Sequence, residues 1–174
     1  LLTGRGTVDF VNNVVFNWGM KAIYGGEEGW FNLVGNVFRP GPATDKLDGR
    51  WLDISTSKTT SLVPGQFYLD DNEYDVSAVR KGNHEGKRPD MEKIEEAEEY
   101  YDEVSVKEPF EIRVRLYPQD PDDAYKAVLK GAGASSARDS IDRRLVREVR
   151  RGKLNFKGSV TLLPGIIDSE SDLK

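Results

Sequence analysis

The chain has 174 residues, of which 37% are hydrophobic and 32% charged, and its net charge is −5. This length suits one domain of ordinary size, and the acidic balance argues against a nucleic-acid partner. The chain has no cysteine, which excludes disulfides and thiolate metal sites. No run approaches the roughly 18 apolar residues that a membrane span needs, so we also expect no membrane partner.

The first half of the chain contains a repeated segment. Val8–Val15 aligns with Phe31–Phe38, about 23 residues later, and a third copy follows at Phe67–Asn72. Each copy is predicted to be a short strand that ends in an asparagine. Repeats of this length, with one short strand each and no helical pattern between them, favour a parallel β-helix over a β-meander. The stacked coils would align two inward columns: Val8, Phe31 and Phe67 in one, and Phe10, Leu33 and Leu69 in the other.

An asparagine occupies the same position in all three copies. Asn13, Asn36 and Asn72 each follow a predicted strand. Asparagine tolerates left-handed backbone conformations and therefore suits the bend after each strand. When coils stack, the side-chain amides can also hydrogen-bond to each other in a ladder.

A Gly-rich stretch separates the first two copies. Asn17–Gly29 is predicted to be a loop that carries Lys21, Tyr24, Glu27 and Glu28. Two interpretations stay open. The stretch is either a solvated turn or a rim that contacts sugar, because binding groups commonly lie on loops above a rigid scaffold.

The second and third copies are separated by a longer insertion. Two prolines and a glycine in residues 38–44 end the second copy and redirect the chain. The insertion at residues 45–65 contains one further predicted strand, Trp51–Ile54.

Residues 80–108 are strongly polar. They contain the only histidine, His84, which we interpret as an exposed loop residue rather than a catalytic base. Glu92–Tyr101 is predicted to be a short acidic helix, and its charge run indicates a solvated face. The alternative is a metal site formed by Glu95, Glu96, Glu98 and Glu99, although their spacing is generic.

Two further helices are predicted near the end of the chain. Asp120–Ala132 has a proline near its start and a glycine near its end. The second helix runs from about Ser140 to Arg151, with Asp139 or Ser140 as its N-cap and Gly152 at its end. Helical spacing predicts the following buried residues in it: Ile141, Leu145, Val146 and Val149.

We place a boundary at residue 80, where the apolar repeats give way to the polar stretch. We predict the C-terminal coils of a β-helix in residues 1–79. Residues 80–174 would form an extension that packs on the coils and contains the short helices. Phe110–Tyr117 alternates apolar and charged residues and is predicted to be a half-exposed strand, and the tail at Pro164–Asp172 is predicted to be extended or looped.

Two blocks of the sequence resemble the C-terminal part of pectate lyases of the polysaccharide lyase 1 type. The first block reads GTVDFVNNVVFNW, YGGEEG, FNLVGNVFRPGPAT and FYLDDN, and the second reads GAGASSARDSIDRRLVREVRRG and GIIDSESD. The blocks follow in the right order and span nearly the whole chain, whereas residues 45–66 and 80–118 match less clearly. The resemblance implies a right-handed parallel β-helix, secretion, and calcium-dependent cleavage of polygalacturonate by β-elimination.

The resemblance also indicates where the catalytic groups lie. In such lyases an arginine of an Arg-x-Pro motif removes the C5 proton of the sugar, and acidic residues hold Ca2+ that acidifies this proton. Both sets fall upstream of Leu1, so we expect no catalytic residue and no metal ligand in this chain. Arg5 lies about one position from a second basic residue of the family that helps to hold substrate. Lys21 and Tyr24 are further candidate substrate contacts.

The start of the sequence suggests a larger parent. A solenoid should begin with an atypical capping repeat, whereas this chain begins at Leu1 with a full apolar coil and has neither an initiator methionine nor a signal peptide. We expect a C-terminal piece of a secreted or periplasmic pectate lyase that is monomeric at full length. Its earlier coils would be absent or carried on a separate chain, and its partner would be the acidic polysaccharide of the plant cell wall. Two alternatives stay open: a non-catalytic carbohydrate-binding β-helix protein, and a calcium-independent pectin lyase that acts on methylated substrate.

Overall fold

A computed structural model of the chain describes residues 5–44, 50–55, 57, 58, 60–74, 103–111, 117–154, 157, 160, 162, 165 and 169. Its strands are β1 (Thr7–Val11), β2 (Val14–Phe16), β3 (Lys21–Gly25), β4 (Trp30–Val34), β5 (Val37–Arg39), β6 (Arg50–Ile54), β7 (Gln66–Asp70), β8 (Glu73–Tyr74) and β9 (Ser105–Val106). Its helices are α1 (Pro121–Gly131) and α2 (Ser140–Arg151). Within these ranges, no helix combines the length and the apolar character needed to cross a membrane.

The described strands pair in parallel in three sheets, ordered β1-β4-β7-β9, β2-β5-β8 and β3-β6. Strands that are consecutive in the sequence lie in different sheets. The chain therefore visits the three sheets in turn, returns to the first, and pairs each strand with its equivalent in the next repeat. The structure thus consists mostly of parallel strands with few short helices, and this part of the predicted fold class is confirmed.

The two predicted inward columns are confirmed by the strand register. The pairing places Val8, Phe31 and Phe67 in one row and Phe10, Leu33 and Leu69 in the other. The rings of Phe31 and Phe67 stack with their centroids 4.6 Å apart. Phe31, Leu33 and Phe67 are at most 1% exposed, and each such side chain contributes about 1.5–3 kcal/mol on burial. The columns thus form the centre of the core.

The predicted asparagine ladder is also present. The Asn13 amide donates to Asn36 Oδ1 at 3.1 Å, and the Asn36 amide donates to Asn72 Oδ1 at 2.8 Å. The side-chain amides also donate to main-chain carbonyls. Asn36 Nδ2 donates to the Phe10 carbonyl and Asn72 Nδ2 to the Leu33 carbonyl, both at 2.7 Å. The ladder therefore ties adjacent repeats together through both side chains and backbone.

The position of the left-handed residue was predicted wrongly. It lies one residue before each ladder asparagine, at Asn12 (φ 54°), Gly35 (φ 62°) and Asp71 (φ 50°). Asparagine, glycine and aspartate are the residue types that tolerate this region at least cost. This bend directs the backbone N–H of the ladder asparagine at the next repeat. The Asn13 N–H, for example, donates to Asn36 Oδ1 at 2.9 Å.

Two local predictions need correction. Each copy contains two strands that flank the asparagine, rather than one, because β2, β5 and β8 follow the bend. The predicted loop Asn17–Gly29 contains strand β3, which pairs with β6. The predicted strand Trp51–Ile54 is confirmed within β6. Its backbone pairs with Lys21–Gly25 and so supplies the hydrogen-bonding partner of β3.

Both helices are confirmed where the sequence places them. The carboxylate of Asp120 caps α1 by accepting from the Asp122 N–H at 2.9 Å. Asp139 caps α2 by accepting from Ile141 and Asp142 at 2.8 and 2.9 Å. Gly152 ends α2 in the left-handed conformation, with φ 62°.

The predicted burial of α2 is wrong for two of its four residues. Ile141 and Leu145 are 39% and 44% exposed, while Val146 and Val149 are partly buried. The residue most deeply buried on α2 is instead Glu148, at 1% exposure. Helical periodicity shows which side chains share a face, but it does not show whether another element covers that face.

Residues beyond 103 contact the strands at several points. Asn32 and the Phe110 backbone exchange two hydrogen bonds of 2.9 and 3.0 Å. Asn12 exchanges two of 2.8 Å with the backbone of Gln119. Arg39 on β5 donates to the hydroxyl of Tyr125 at 2.7 Å, and α1 packs against β2 and β5. These contacts hold α1 against the strands.

Several predictions fall outside the described residues. These are His84, the acidic helix Glu92–Tyr101 with its alternative metal site, and most of the strand Phe110–Tyr117 and of the tail Pro164–Asp172. The boundary between residues 79 and 80 also lies there and stays a prediction. Strand β9, within the polar stretch 80–108, was not predicted.

Candidate functional site

Two of the candidate substrate contacts lie on strand β3. Lys21 begins the strand and Tyr24 follows near its end, and both side chains are exposed, Tyr24 to 40%. Asp53 on the adjacent β6 lies in register with Tyr24, and its carboxylate forms an ion pair with Lys21 Nζ. The structure therefore groups Lys21 and Tyr24 around Asp53, which the sequence analysis did not single out.

The turn after β3 is closely packed against its neighbours. Gly25 and Gly26 adopt φ values of 86° and 96°, which favour glycine. The Gly25 carbonyl accepts from the Ser55 N–H at 3.0 Å, and the Glu28 N–H donates to Val63 O at 2.9 Å. Main-chain hydrogen bonds on both sides thus fix the turn that carries the two acidic residues of the predicted rim.

Glu27 is oriented by Ser55. The Ser55 hydroxyl donates to Glu27 Oε1 at 2.6 Å, and this hydrogen bond lowers the pKa of Glu27 below its ordinary value. The backbone of Glu27 contributes in the same direction, and partial desolvation opposes both. Glu27 therefore keeps its negative charge at the edge of the rim to a lower pH than an isolated glutamate.

Replacement of Ser55 by alanine is expected to raise the pKa of Glu27 towards its ordinary value. Because the folded-state pKa is depressed, the stabilisation is complete above the ordinary glutamate pKa and is lost as the pH falls through the lowered pKa. The variant should therefore be less stable than the parent at neutral pH and converge with it in acid. A carboxyl-carbon NMR titration measures the shift, with the exposed Ser61→Ala as control. An unchanged Glu27 titration in Ser55→Ala would contradict this interpretation.

Arg5, the third candidate, lies at the same turn. Its side chain is 82% exposed, and its guanidinium reaches Glu28 Oε1 at 3.4 Å. The adjacent Gly6 carbonyl accepts from the Trp30 N–H at 2.9 Å, which holds the segment before β1 beside the start of β4. Arg5 therefore lies over the turn after β3, while Lys21 and Tyr24 lie on the strand itself.

Trp30 is a further exposed aromatic residue that the sequence analysis missed. It is 43% exposed and lies in register with Thr7 on β1 and Gln66 on β7. Large aromatic rings with one polar edge are common in binding surfaces. The signal in the sequence was the alternation along the strand, which places Trp30 on the opposite face from the buried Phe31.

The described residues do not gather three or more His, Asp or Glu side chains at one point that could hold a metal ion. No chemical step of this chain is assigned to calcium. The expectation that the calcium ligands and the catalytic arginine lie upstream of Leu1 stays a prediction.

Comparison with known proteins gives relatives of one kind. A probable pectate lyase C of Neosartorya fischeri is 30% identical over 150 residues, which cover 84% of this chain and 32% of the relative. Proteins of the same name from Aspergillus flavus and Aspergillus terreus are 32% and 30% identical, over 83% and 96% of this chain. The chain spans about a third of the length of these relatives. No family model matches the chain.

Proposed function

We propose that this chain is the C-terminal part of a secreted pectate lyase, which cleaves polygalacturonate by calcium-assisted β-elimination. The observation that carries the proposal is the similarity to proteins named probable pectate lyase C, which extends over 84% of the chain. The substrate class is an acidic polysaccharide of the plant cell wall. The base and the calcium ligands belong to the part of the parent protein that precedes Leu1.

The proposed fold of the coils is a right-handed parallel β-helix. The order in which the chain visits three parallel sheets supports it, because a coil that returns to its first sheet stacks each strand on its equivalent. The continuous phenylalanine and leucine rows and the asparagine ladder are the side-chain counterparts of that stacking. In such a scaffold Lys21 and Tyr24 on β3, Asp53 on β6 and the turn after β3 form one side of a binding cleft.

The part played by this chain is substrate positioning. Arg5 and Lys21 supply positive charge for uronate carboxylates, and the ring of Tyr24 offers an apolar face to a sugar ring. Each cation already has a carboxylate partner, Glu28 for Arg5 and Asp53 for Lys21. A bound uronate must compete with these partners, so each contact is expected to contribute modestly, about 0.2–1 kcal/mol.

The lyase hypothesis is tested on the chain joined to the sequence that precedes it. We expect polygalacturonate to yield unsaturated uronate ends, followed by ultraviolet absorbance, and a calcium chelator should abolish the signal. Lys21→Gln should raise KM for polygalacturonate by about two- to fivefold, while Lys107→Gln, which removes an exposed charge from outside the rim, should leave it unchanged.

The alternatives give different results in the same experiment. Activity on methylated pectin that survives the chelator would identify a calcium-independent pectin lyase. Binding of polygalacturonate without any absorbance change, by a folded protein with calcium present, would identify a non-catalytic carbohydrate-binding protein and refute the lyase.

A further inference from the structure

Helix α2 carries a concentration of positive charge that the proposed cleft does not use. Its arginines are Arg143, Arg144, Arg147, Arg150 and Arg151. All are exposed except Arg144, which is half-buried. Residues 138–157 contain eight lysines and arginines against three acidic residues, in a chain whose net charge is −5. The charge of this segment is therefore opposite in sign to that of the whole chain.

The arginines share one face of the helix. Positions 143, 147 and 151 are four residues apart and 147 and 150 are three apart, so these side chains are neighbours on the helix surface. At about 100° of rotation per residue, all five fall within roughly 120° of the helix circumference. The stripe from Arg143 to Arg151 is about 12 Å long, from the rise per residue. We call this face the arginine stripe.

The stripe is held in place by the junction between the two helices. Arg138 donates to the carbonyls of Leu129, Lys130 and Ala132 at 2.7–3.2 Å, at the end of α1. The guanidinium of Arg143 donates to the Arg138 carbonyl. Among the described residues, Arg147, Arg150 and Arg151 form no ion pair or hydrogen bond through their side chains. Three guanidinium groups therefore face solvent, and the hydrogen bonds of Arg138 and Arg143 hold the N-terminus of their helix in place.

We propose that the arginine stripe is a second binding surface for acidic polysaccharide, separate from the rim on β3. The choice of a polyuronate as ligand rests on the proposed function. A row of guanidinium groups matches a row of carboxylates because each guanidinium can donate two parallel hydrogen bonds to one carboxylate. Such a surface would keep the enzyme on the polymer between cleavage events.

Two other polyanions, an anionic membrane and a nucleic acid, are alternative ligands for the stripe. The apolar side of α2 is exposed at Ile141 and Leu145, as in a helix that lies on a membrane, but the half-buried Asp142 is adjacent to both residues. Carboxylates beside the apolar face oppose insertion into an anionic membrane. A nucleic acid offers guanidinium groups the same kind of oxyanion, so duplex DNA is the competing ligand in the test.

The test is affinity electrophoresis of the 174-residue chain in gels that contain polygalacturonate, with neutral dextran gels as reference. We expect Arg147→Gln/Arg150→Gln to weaken binding by about three- to tenfold. The matched control, Lys107→Gln/Lys130→Gln, removes the same charge from exposed positions outside the stripe and should bind as the parent does. Added salt should weaken the parent more than the stripe variant.

Three results would overturn the proposal. Equal loss of affinity in the stripe and control variants would assign the binding to net charge, and loss only in Lys21→Gln would assign it to the rim. The third is stripe-dependent binding to duplex DNA or phosphatidylserine vesicles that is tighter than to polygalacturonate. Stripe-dependent polygalacturonate binding together with an inactive joined protein would uphold this proposal and refute the lyase.

Discussion

Replacement of Asn36 by alanine is expected to lower the free energy of unfolding by about 3–5 kcal/mol. Asn36 is fully buried, at 0% exposure. Its Oδ1 accepts from the backbone and the side chain of Asn13, and its Nδ2 donates to Asn72 Oδ1 and to the Phe10 carbonyl. Alanine leaves these groups without their partner in a buried site, and each unsatisfied group costs about 1–3 kcal/mol.

The matched control for Asn36→Ala is Asn13→Ala. Asn13 lies at the end of the described ladder and is only half-buried, so water can replace its side chain. We expect a loss of about 1 kcal/mol there. Urea denaturation followed by circular dichroism measures both variants. Equal and small losses at the two positions would show that the ladder does not stabilise the stack.

Replacement of Gly65 by alanine is expected to cost about 3 kcal/mol or more, because the added methyl group would overlap backbone atoms. A Cβ at this position would lie 1.8 Å from the Gly26 carbonyl oxygen and 3.0 Å from that of Gly29. Neither oxygen can move without displacing the turn that presents Glu27 and Glu28. We therefore expect the substitution to disturb the rim as well as to destabilise the fold.

Gly131→Ala is the control for this second prediction. Nothing lies within 4 Å of a Cβ built at Gly131, which ends α1. Alanine there should be neutral or stabilising by up to about 1 kcal/mol. Thermal unfolding measures both variants, and we expect a lower Tm for Gly65→Ala and an equal or higher Tm for Gly131→Ala than for the parent. A Gly65→Ala protein as stable as its parent would mean that the turn after β3 is not packed against this glycine.

The repeat in the sequence was sufficient to predict the inward columns and the ladder. Stacking requires the same residue class at each equivalent position, and Phe31 over Phe67 and Asn36 over Asn72 satisfy that requirement. The left-handed position could not be identified in the same way, because Asn12, Gly35 and Asp71 are three residue types with no common side chain. Their shared property is a backbone conformation, which appears only in the structure.

The sequence singled out some residues of the candidate site and missed others, and their role as substrate contacts stays a prediction. Lys21 and Tyr24 stood out as charged and aromatic residues in a Gly-rich stretch, and the structure confirms that both are exposed. Strand β3 itself was missed because KAIYG becomes a strand only through its pairing with β6. Asp53 and Ser55, which contact Lys21 and Glu27, lie within the insertion at residues 45–65, which has no counterpart between the first two copies. Their contacts follow from the winding of the chain and not from any local pattern.

The proposed chemistry is tested most directly by the mass of the reaction products. The joined protein, comprising this chain and the sequence that precedes it, would be incubated with short oligogalacturonates and calcium, and its products analysed by mass spectrometry. β-Elimination breaks the glycosidic bond without adding water, so the two product masses should sum to that of the substrate, and one product should carry an unsaturated end. Products whose masses together exceed the substrate by one water would identify hydrolysis and contradict a lyase.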